Sequence, residues 1–340
     1  MAERITIVGD GAMGTVCALI LSGNGHSVRM WSAFAEAADA LRSTRENTRF
    51  LPGIRLPESV EFTADDDHCV DDTTLVVSAV PTQYLRSVWT RLAPHMHPGV
   101  PVVSCTKGID IQTRLRPTQI IESALQQVGK SAALCALSGP NIAGEIARRL
   151  PASAVAASAD SALALRTQAA YNNSYFRVYT NSDVVGVEIS GAVKNIIALA
   201  AGLIDGLELG CNAKAALLAR GLVEITRLGM AMGAQSATFS GLAGMGDLVT
   251  TCISPEGRNR STGEQLGRGK KLQTILGERA SVVEGVPTTQ AVMQLARETG
   301  IEMPITAAVY SILFENVSPA DALGKLMSRQ TRAETGISLT

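Results

Sequence analysis

The sequence has no excess of positive charge, no closely paired cysteines and no long apolar run free of charged residues. Its 340 residues include 30 Lys and Arg against 31 Asp and Glu. Because proteins neutralise nucleic-acid phosphates with clustered basic residues, this balance argues against a nucleic-acid partner. Any anionic ligand must therefore be bound locally.

The six cysteines are scattered along the chain, and none forms a C-x-x-C pair or groups with the four histidines. This spacing excludes the common zinc and disulfide frameworks. Scattered cysteines in an apolar chain are typical of small buried residues in a reducing compartment. We expect no metal site and a cytoplasmic location.

The most membrane-like stretch covers residues 184–204, but it contains Glu188 and Lys194. Each charge would cost about 2.5–3.5 kcal/mol near the centre of a bilayer. We therefore predict a buried core helix and no integral membrane segment. The first residues lead directly into an apolar run at 5–8, so no leader peptide is expected.

The chain is long enough for two domains, because single cores stop growing at roughly 250–300 residues. From residue 5 to about residue 157, short apolar runs alternate with helical patterns, which indicates parallel βαβ units. We therefore predict a dinucleotide-binding domain over residues 1–188, with a doubly wound, Rossmann-type α/β sheet. The predicted strands are 5–8, 27–31, 74–79, 100–105, 133–137 and 154–157.

The second half of the chain changes to long Ala- and Leu-rich segments, which predicts an all-α domain over residues 189–335. Glycines and a proline interrupt the pattern at 240–260, and we predict a loop there. The predicted helical segments are 191–204, 212–232, 262–267, 287–299 and 304–314.

A glycine-rich motif follows the first predicted strand and precedes a helix. Gly9, Gly11 and Gly14 match G-x-G-x-x-G, the pattern of dinucleotide-binding turns. The first glycine allows the tight turn, the second lets the backbone approach a pyrophosphate, and the third lets helix and strand pack closely. The helix N-terminus then supplies N–H groups to the anion.

The acidic residue that usually follows the second strand and binds the ribose 2′-hydroxyl of NAD is missing. Trp31, Ser32 and Ala33 stand there instead, without an adjacent arginine for the 2′-phosphate of NADP. Both NAD and NADP remain open as the cofactor.

Lys194 lies in a segment that is apolar nearly all round. Burial disfavours the ammonium form and moves a lysine pKa toward neutrality, where general acid–base catalysis is effective. The alternative is a buried lysine with a structural partner, Glu188 or Asp247.

Three further groups of residues follow predicted strands or the 240–260 region. Lys107 and the turn at 138–141 lie at carboxyl ends of strands, where open α/β sheets bind ligands. A surface charge and a helix-capping turn are their alternatives. Arg258 and Asn259 lie near Asp247, and a guanidinium suits a phosphate, although solvated loop charges are the alternative.

Several motifs taken together resemble the soluble NAD(P)-dependent glycerol-3-phosphate dehydrogenases of bacteria, and more distantly the eukaryotic cytosolic enzymes. The resemblance spans nearly the whole chain. It rests on residues 9–15, 47–53, 106–108, 138–140, 191–195, 219–222, 244–248, 258–260 and 282–285.

The resemblance implies hydride transfer between NAD(P)H and dihydroxyacetone phosphate, which gives sn-glycerol 3-phosphate for phospholipid synthesis, in a protein that we expect to be a homodimer. Lys194 matches the family's proton-transfer lysine. The substrate-contacting positions match Lys107, Gly139, Asn141, Lys194, Asp247, Gly257, Arg258 and Asn259, with Thr251 matching a threonine of the eukaryotic branch. The expected cofactor-contacting residues are Gly9, Gly11, Ala12, Met13, Gly14, Ser32 and Lys107, with Ala143, Arg258, Val282 and Glu284 from the resemblance.

Asn141 and Gly257 depart from the residues usual in bacterial members, which are Ser or Thr and Ser, respectively. The chemistry is coherent, because hydride addition to a ketone creates an alkoxide that needs a proton. Lys194 would donate it, oriented by Asp247 and Asn195, in a site between the two domains.

Two alternatives remain at this level. One is another two-domain dehydrogenase, such as a ketopantoate-type reductase acting on a carboxylate; Arg258 and Asn259 beside Asp247 favour a phosphorylated substrate instead. The other is a redox sensor that binds a dinucleotide and regulates a partner, which would need no buried lysine.

Overall fold

The computed structural model describes residues 2–278 and 282–330. Its N-terminal part is an eight-stranded sheet with the strand order β3-β2-β1-β4-β5-β6-β7-β8. The strands are β1 (Arg4–Val8), β2 (Ser27–Trp31), β3 (Val60–Thr63), β4 (Leu75–Ser78), β5 (Val102–Ser104), β6 (Leu134–Ser138), β7 (Ala152–Ala157) and β8 (Phe176–Asn181). The helices of this part are α1 (Ala12–Gly23), α2 (Ala35–Thr44), α3 (Asp66–Val70), α4 (Thr82–Leu92), α5 (Pro117–Gln127), α6 (Ala143–Ala147) and α7 (Ser161–Tyr171).

Helices cover both faces of the sheet, because its central strands are apolar at successive positions. Val77 and Val103 belong to one buried cluster, whereas their neighbours Val76 and Val102 belong to another. Successive side chains of a strand point to opposite faces, so the two clusters lie on opposite sides. The doubly wound architecture is confirmed.

The strand order reverses its direction at β1, which pairs in parallel with both β2 and β4. In open α/β sheets, ligands bind outside the carboxyl ends of the strands at such a switch point. The glycine motif follows β1 directly and therefore lies at this point.

All six predicted strands are confirmed, with ends shifted by at most a few residues. Two strands that form the edges of the sheet, β3 and β8, were not predicted. Exposed residues interrupt both strands, as Arg177 does between Phe176 and Val178 in β8 and Glu61 does in β3. Such interrupted segments give a weaker signal than the continuous apolar runs of central strands.

One parallel connection was wrongly predicted, because β7 is antiparallel to β6. The chain between them contains only the five-residue helix α6, which rises about 7.5 Å at 1.5 Å per residue. A parallel crossover must return the chain along the whole length of a strand. This helix is too short for that, so the chain re-enters the sheet from the opposite end.

The C-terminal part is helical. Its helices are α8 (Val184–Gly206), α9 (Gly210–Ala231), α10 (Ser236–Phe239), α11 (Asp247–Ile253), α12 (Arg258–Gly267), α13 (Leu272–Gly277), α14 (Gly285–Thr299), α15 (Pro304–Phe314) and α16 (Pro319–Met327). The five predicted helical segments are confirmed. The predicted domain end at residue 335 lies outside the described residues, and the division at 188/189, which falls inside α8, stays a prediction.

Helix α8 forms the centre of this part. It is long and apolar enough to cross a membrane, but 89% of its most apolar window is buried inside the fold. Helices α9, α11, α12 and α14 surround it. The prediction of a buried core helix is confirmed.

The predicted loop at 240–260 was wrong, since a π-helical turn over Leu242–Gly246 leads into α11 and α12 begins at Arg258. Gly244 explains the error. A Cβ on this residue would lie 2.1 Å from the carbonyl oxygen of Phe239. The glycine permits close packing of helical backbone here and does not end a helix.

Candidate active site

The glycine turn between β1 and α1 has the geometry of a dinucleotide cradle. Gly9 has a φ of +110°, and its N–H donates to the carbonyl of Trp31 at 3.0 Å. A Cβ on Gly14 would lie 2.1 Å from the Gly9 oxygen, so helix and turn are in direct contact. By contrast, a Cβ on Gly11 would meet no atom within 4 Å. Open space beside this backbone, at a helix N-terminus, fits a pyrophosphate.

Other predicted cofactor residues surround the turn. Ala12 and Met13 begin α1, and Met13 lines a cavity together with Lys107 and Asn141. Ser32 directly follows β2 and is buried. These residues lie at the carboxyl edge of the sheet, where the resemblance expects the cofactor.

Lys194 and Asp247 form a buried ion pair, with 2.8 Å between Nζ and Oδ1. The second carboxylate oxygen of Asp247 lies 2.7 Å from Nζ of Lys107. Lys107 comes from the loop after β5 and the other two residues from α8 and α11, so this triad joins the two parts of the chain. The solvated-surface alternative for Lys107 is therefore wrong, and of the two structural partners considered for Lys194 the real one is Asp247.

Glu188, the other partner considered, belongs to a separate network. Its carboxylate pairs with Arg116 and accepts hydrogen bonds from the N–H and hydroxyl of Thr118. Burial raises its pKa despite these contacts. Glu188 is therefore not the ion-pair partner of Lys194.

Burial and the charges within the triad of Lys107, Lys194 and Asp247 shift the pKa values of Lys194 and Asp247. Burial lowers the pKa of Lys194 to about 8, although the Asp247 carboxylate opposes this shift. Burial alone would raise the pKa of Asp247, but the ammonium groups of Lys107 and Lys194 outweigh it and hold that pKa below its usual value. Near neutral pH, Lys194 is thus an acid of useful strength beside a stable carboxylate.

Thr251 completes the surroundings of the lysine. Its Oγ1 accepts a hydrogen bond from Lys194 Nζ at 2.6 Å and donates to the backbone oxygen of Asp247 at 2.6 Å. The Lys194 ammonium therefore contacts two side chains of α11, those of Asp247 and Thr251. The expectation that Asn195 also orients Lys194 was wrong, because its Oδ1 accepts from Asn259 Nδ2 at 2.9 Å and its Nδ2 donates to Gly191. Consecutive helical residues point in different directions, which separates Asn195 from Lys194.

The turn after β6 supports the triad through its backbone. The carbonyl oxygen of Gly139 accepts a hydrogen bond from Lys107 Nζ at 2.9 Å. Gly139 has a φ of +151°, and a Cβ there would lie 2.8 Å from the Ser153 oxygen of neighbouring β7. Only glycine fits this position, so the turn is specialised beyond simple helix capping.

The predicted phosphate-binding residues lie at the start of α12. Gly257 precedes the helix, Arg258 is its first residue, and the Arg258 Nη1 atom donates to the Val282 carbonyl at 3.2 Å. The Asn259 oxygen accepts from the N–H of Gly285 at 2.9 Å. The Asn259 amide nitrogen carries two N–H groups, and its bond to Asn195 uses one of them.

Glu284 joins the helical part to the sheet. Its Oε1 accepts a hydrogen bond from the N–H of Thr82, the first residue of α4, at 2.9 Å. Its Oε2 is buried without a hydrogen-bond partner among the described residues. Burial raises its pKa to about 7. A buried carboxylate oxygen between the sheet and the helical part fits a ligand contact, as expected for Glu284 and for Val282, two residues before it. Ala143, expected in the same set, begins α6, which packs against α1.

Two further residues at this edge were not predicted from the sequence. Thr82 follows β4, the strand beside β1, and that position alone could have identified it. Asp10 stands inside the glycine motif, and its carboxylate reaches the end of β2 by a hydrogen bond from Ser32. An acid at the second position of the motif was the available signal.

Comparison with known proteins identifies the family of this chain. The N-terminal model of NAD-dependent glycerol-3-phosphate dehydrogenase matches residues 4–164, and the C-terminal model matches 183–324. Glycerol-3-phosphate dehydrogenase [NAD(P)+] of Citrifermentans bemidjiense is 46% identical over 334 residues, covering 98% of this chain and 99% of the relative.

Solved structures of glycerol-3-phosphate dehydrogenases have the same fold as this chain. The structure from Coxiella burnetii is 36% identical with a TM-score of 0.92, covering 96% of this chain and 99% of that one. The structure from Saccharomyces cerevisiae is 27% identical with a TM-score of 0.81, covering 97% and 100%. The chain belongs to the family of NAD-dependent glycerol-3-phosphate dehydrogenases.

Proposed function

We propose that this protein reduces dihydroxyacetone phosphate to sn-glycerol 3-phosphate with NADH or NADPH, and that Lys194 is the general acid. The observation that carries the proposal is the buried contact of Lys194 with Asp247, at the boundary between the dinucleotide turn and the helical part. The relatives named glycerol-3-phosphate dehydrogenase support the substrate.

The bound dinucleotide would supply the hydride, and the protein supplies the proton. As the carbonyl carbon of the substrate is reduced, its oxygen becomes an alkoxide, and the Lys194 ammonium donates a proton to it. The neutral amine that results is tolerated because burial already lowers the pKa of Lys194 to about 8. In the reverse direction the amine takes the hydroxyl proton. Asp247 and Thr251 keep Nζ in one position through both directions.

The phosphate end of the substrate is assigned to Arg258 and Asn259. A guanidinium and an amide N–H at the first turn of α12 favour an anion, because the helix N-terminus adds partial positive charge. Gly257 precedes them without a side chain that could obstruct the approach. Lys107, Gly139, Asn141 and Thr251 would line the remainder of the substrate site, around the triad.

The cofactor would be held mainly by the first part of the chain. Gly9, Gly11 and Gly14 with the start of α1, Ala12 and Met13, form the cradle for the pyrophosphate. The other contacts are assigned to Ser32, Lys107, Ala143, Arg258, Val282 and Glu284.

Three further points belong to this proposal. The product would feed glycerophospholipid synthesis, the protein would be cytoplasmic, and it would act as a homodimer. The first follows from the activity of the resembled family, and the second from the scattered cysteines, which suit a reducing compartment. Analytical ultracentrifugation at micromolar concentration tests the third, with a mass of twice 35.6 kDa expected.

A direct assay tests the activity. Purified protein is mixed with dihydroxyacetone phosphate, and the oxidation of NADH and NADPH is followed by absorbance. We expect turnover that depends on the phosphorylated ketone, with little for unphosphorylated dihydroxyacetone. Tight dinucleotide binding without oxidation by any small phosphorylated ketone would contradict the proposal and favour the redox-sensor alternative.

A further inference from the structure

The end of β2 carries a carboxylate that comes from the glycine turn. Oδ2 of Asp10 accepts a hydrogen bond from Oγ of Ser32 at 2.8 Å. Ser32 directly follows β2 and is only 1% exposed. The acid that is missing from the sequence after β2 is thus replaced in space by Asp10, the second residue after the end of β1.

The surrounding backbone holds Asp10 in place. Gly9 donates its N–H to Trp31, the last residue of β2, at 3.0 Å, which brings the turn against the end of that strand. Nδ2 of Asn47 donates to the Asp10 carbonyl at 2.7 Å and to the hydroxyl of Thr15 at 2.8 Å. Ser32 is fixed in turn, since its Oγ also accepts the N–H of Phe34 at 3.3 Å.

We propose that Asp10 makes the protein select NAD over NADP, an inference that rests on the dinucleotide binding of the proposed function. In dinucleotide-binding folds of this type, an acid at the end of β2 accepts a hydrogen bond from the ribose 2′-hydroxyl. The bond to Ser32 uses Oδ2, and no hydrogen bond among the described residues uses Oδ1. Asp10 therefore has an acceptor for the 2′-hydroxyl, and its charge repels a 2′-phosphate.

Arg91 is a cation at the same edge, and its contacts explain why it does not reverse this preference. Its Nη1 donates to the Ala33 carbonyl at 3.2 Å, and its guanidinium stacks 5.0 Å from the centre of the Trp31 ring. Its Nε lies 2.6 Å from Oδ2 of Asp66. The charge of Arg91 is already paired, whereas a 2′-phosphate needs a cation directed at it.

The test is the affinity of the folded protein for the two reduced dinucleotides, measured by calorimetric titration without substrate. Wild-type protein is compared with Asp10→Asn, which removes the charge and keeps the size. Asp39→Asn is the matched control, since Asp39 is exposed on α2 and pairs with Arg42. We expect NADH to bind more tightly than NADPH to the wild type and the control. In Asp10→Asn the ratio of the NADPH to the NADH dissociation constant should fall by about tenfold, chiefly because NADPH binds more tightly. This effect of the substitution should be smaller at high salt, which screens the charges.

Equal affinities for NADH and NADPH in the wild type would overturn the inference, and so would an unchanged ratio in Asp10→Asn. Either result with normal reduction of dihydroxyacetone phosphate would leave the proposed function intact. A wild-type protein that binds neither dinucleotide would overturn both.

Discussion

Oδ1 of Asp247 lies 2.8 Å from Nζ of Lys194, so the buried ammonium has a buried counter-charge. The same carboxylate also binds Lys107, a residue from the other part of the chain. One carboxylate thus stabilises two cations in a region of low dielectric constant, where an unpaired charge would be costly. Both Lys107 and Lys194 therefore have Asp247 as the counter-charge of their ammonium groups.

Replacing Asp247 with Asn removes this shared counter-charge. The pKa of Lys194 should fall further, because the carboxylate is what opposes the effect of burial. We expect kcat for ketone reduction at pH 7.5 to fall about a hundredfold or more, with NADH binding retained. Steady-state kinetics of Asp247→Asn, with Asp39→Asn as the charge-matched control, provide the measurement. Equal kcat values in the two variants would contradict a role for Asp247.

The two directions of the reaction should respond to pH in opposite ways. Reduction needs the Lys194 ammonium, so its kcat/KM should be steady at low pH and decline as pH rises through about 8. Oxidation of glycerol 3-phosphate needs the neutral amine, so its kcat/KM should rise over the same interval. Initial rates from pH 6 to 10 would check this. Profiles that decline together with rising pH would indicate a different titrating group.

Substitutions of two glycines in the turn should affect different properties, one the affinity for NADH and the other the stability of the fold. Gly11 has ordinary backbone angles and open space beside it, so Gly11→Ala should fold with an unchanged or slightly higher Tm. Its methyl group would occupy the predicted pyrophosphate position, and NADH affinity should fall by about tenfold or more. Gly14→Ala should lower the Tm, because its Cβ would collide with the Gly9 oxygen. Normal NADH binding by Gly11→Ala would argue against this cradle.

Arg258 should act on substrate binding more than on turnover. Removing a charge-assisted contact to the phosphate should raise KM for dihydroxyacetone phosphate by about tenfold or more, with a smaller change in kcat. Arg268→Ala is the control, since Arg268 caps the other end of α12 and pairs with Glu264. The comparison is made from full saturation curves. An equal change of KM in Arg258→Ala and Arg268→Ala would contradict the assignment of Arg258 to the phosphate site.

The sequence carried enough information for the central architecture. Continuous apolar runs predicted the inner strands, and the glycine motif predicted the cradle. The edge strands β3 and β8 were missed because exposed residues interrupt their apolar patterns. The antiparallel direction of β7 was not predicted, because it depends on how far α6 carries the chain back along β6. The sequence pattern did not indicate that α6 has only five residues.

The site was predictable residue by residue but not in its connections. Lys194, Asp247 and Lys107 were all identified, yet their common carboxylate bridge joins positions separated by up to 140 residues along the chain. Periodicity indicates burial and cannot indicate such partners. Asn195 was wrongly expected to orient Lys194 because the two residues are neighbours in the sequence. Its side chain instead accepts a hydrogen bond from Asn259.

The central claim is that Lys194 supplies the proton, and the most direct test is turnover of Lys194→Ala at pH 7.5 with NADH binding measured in parallel. The account predicts that kcat falls by about a hundredfold or more while NADH still binds, and that Lys325→Ala, at an exposed position on α16, behaves as wild type. A Lys194→Ala enzyme that binds NADH and turns over at a near-normal rate would contradict the account.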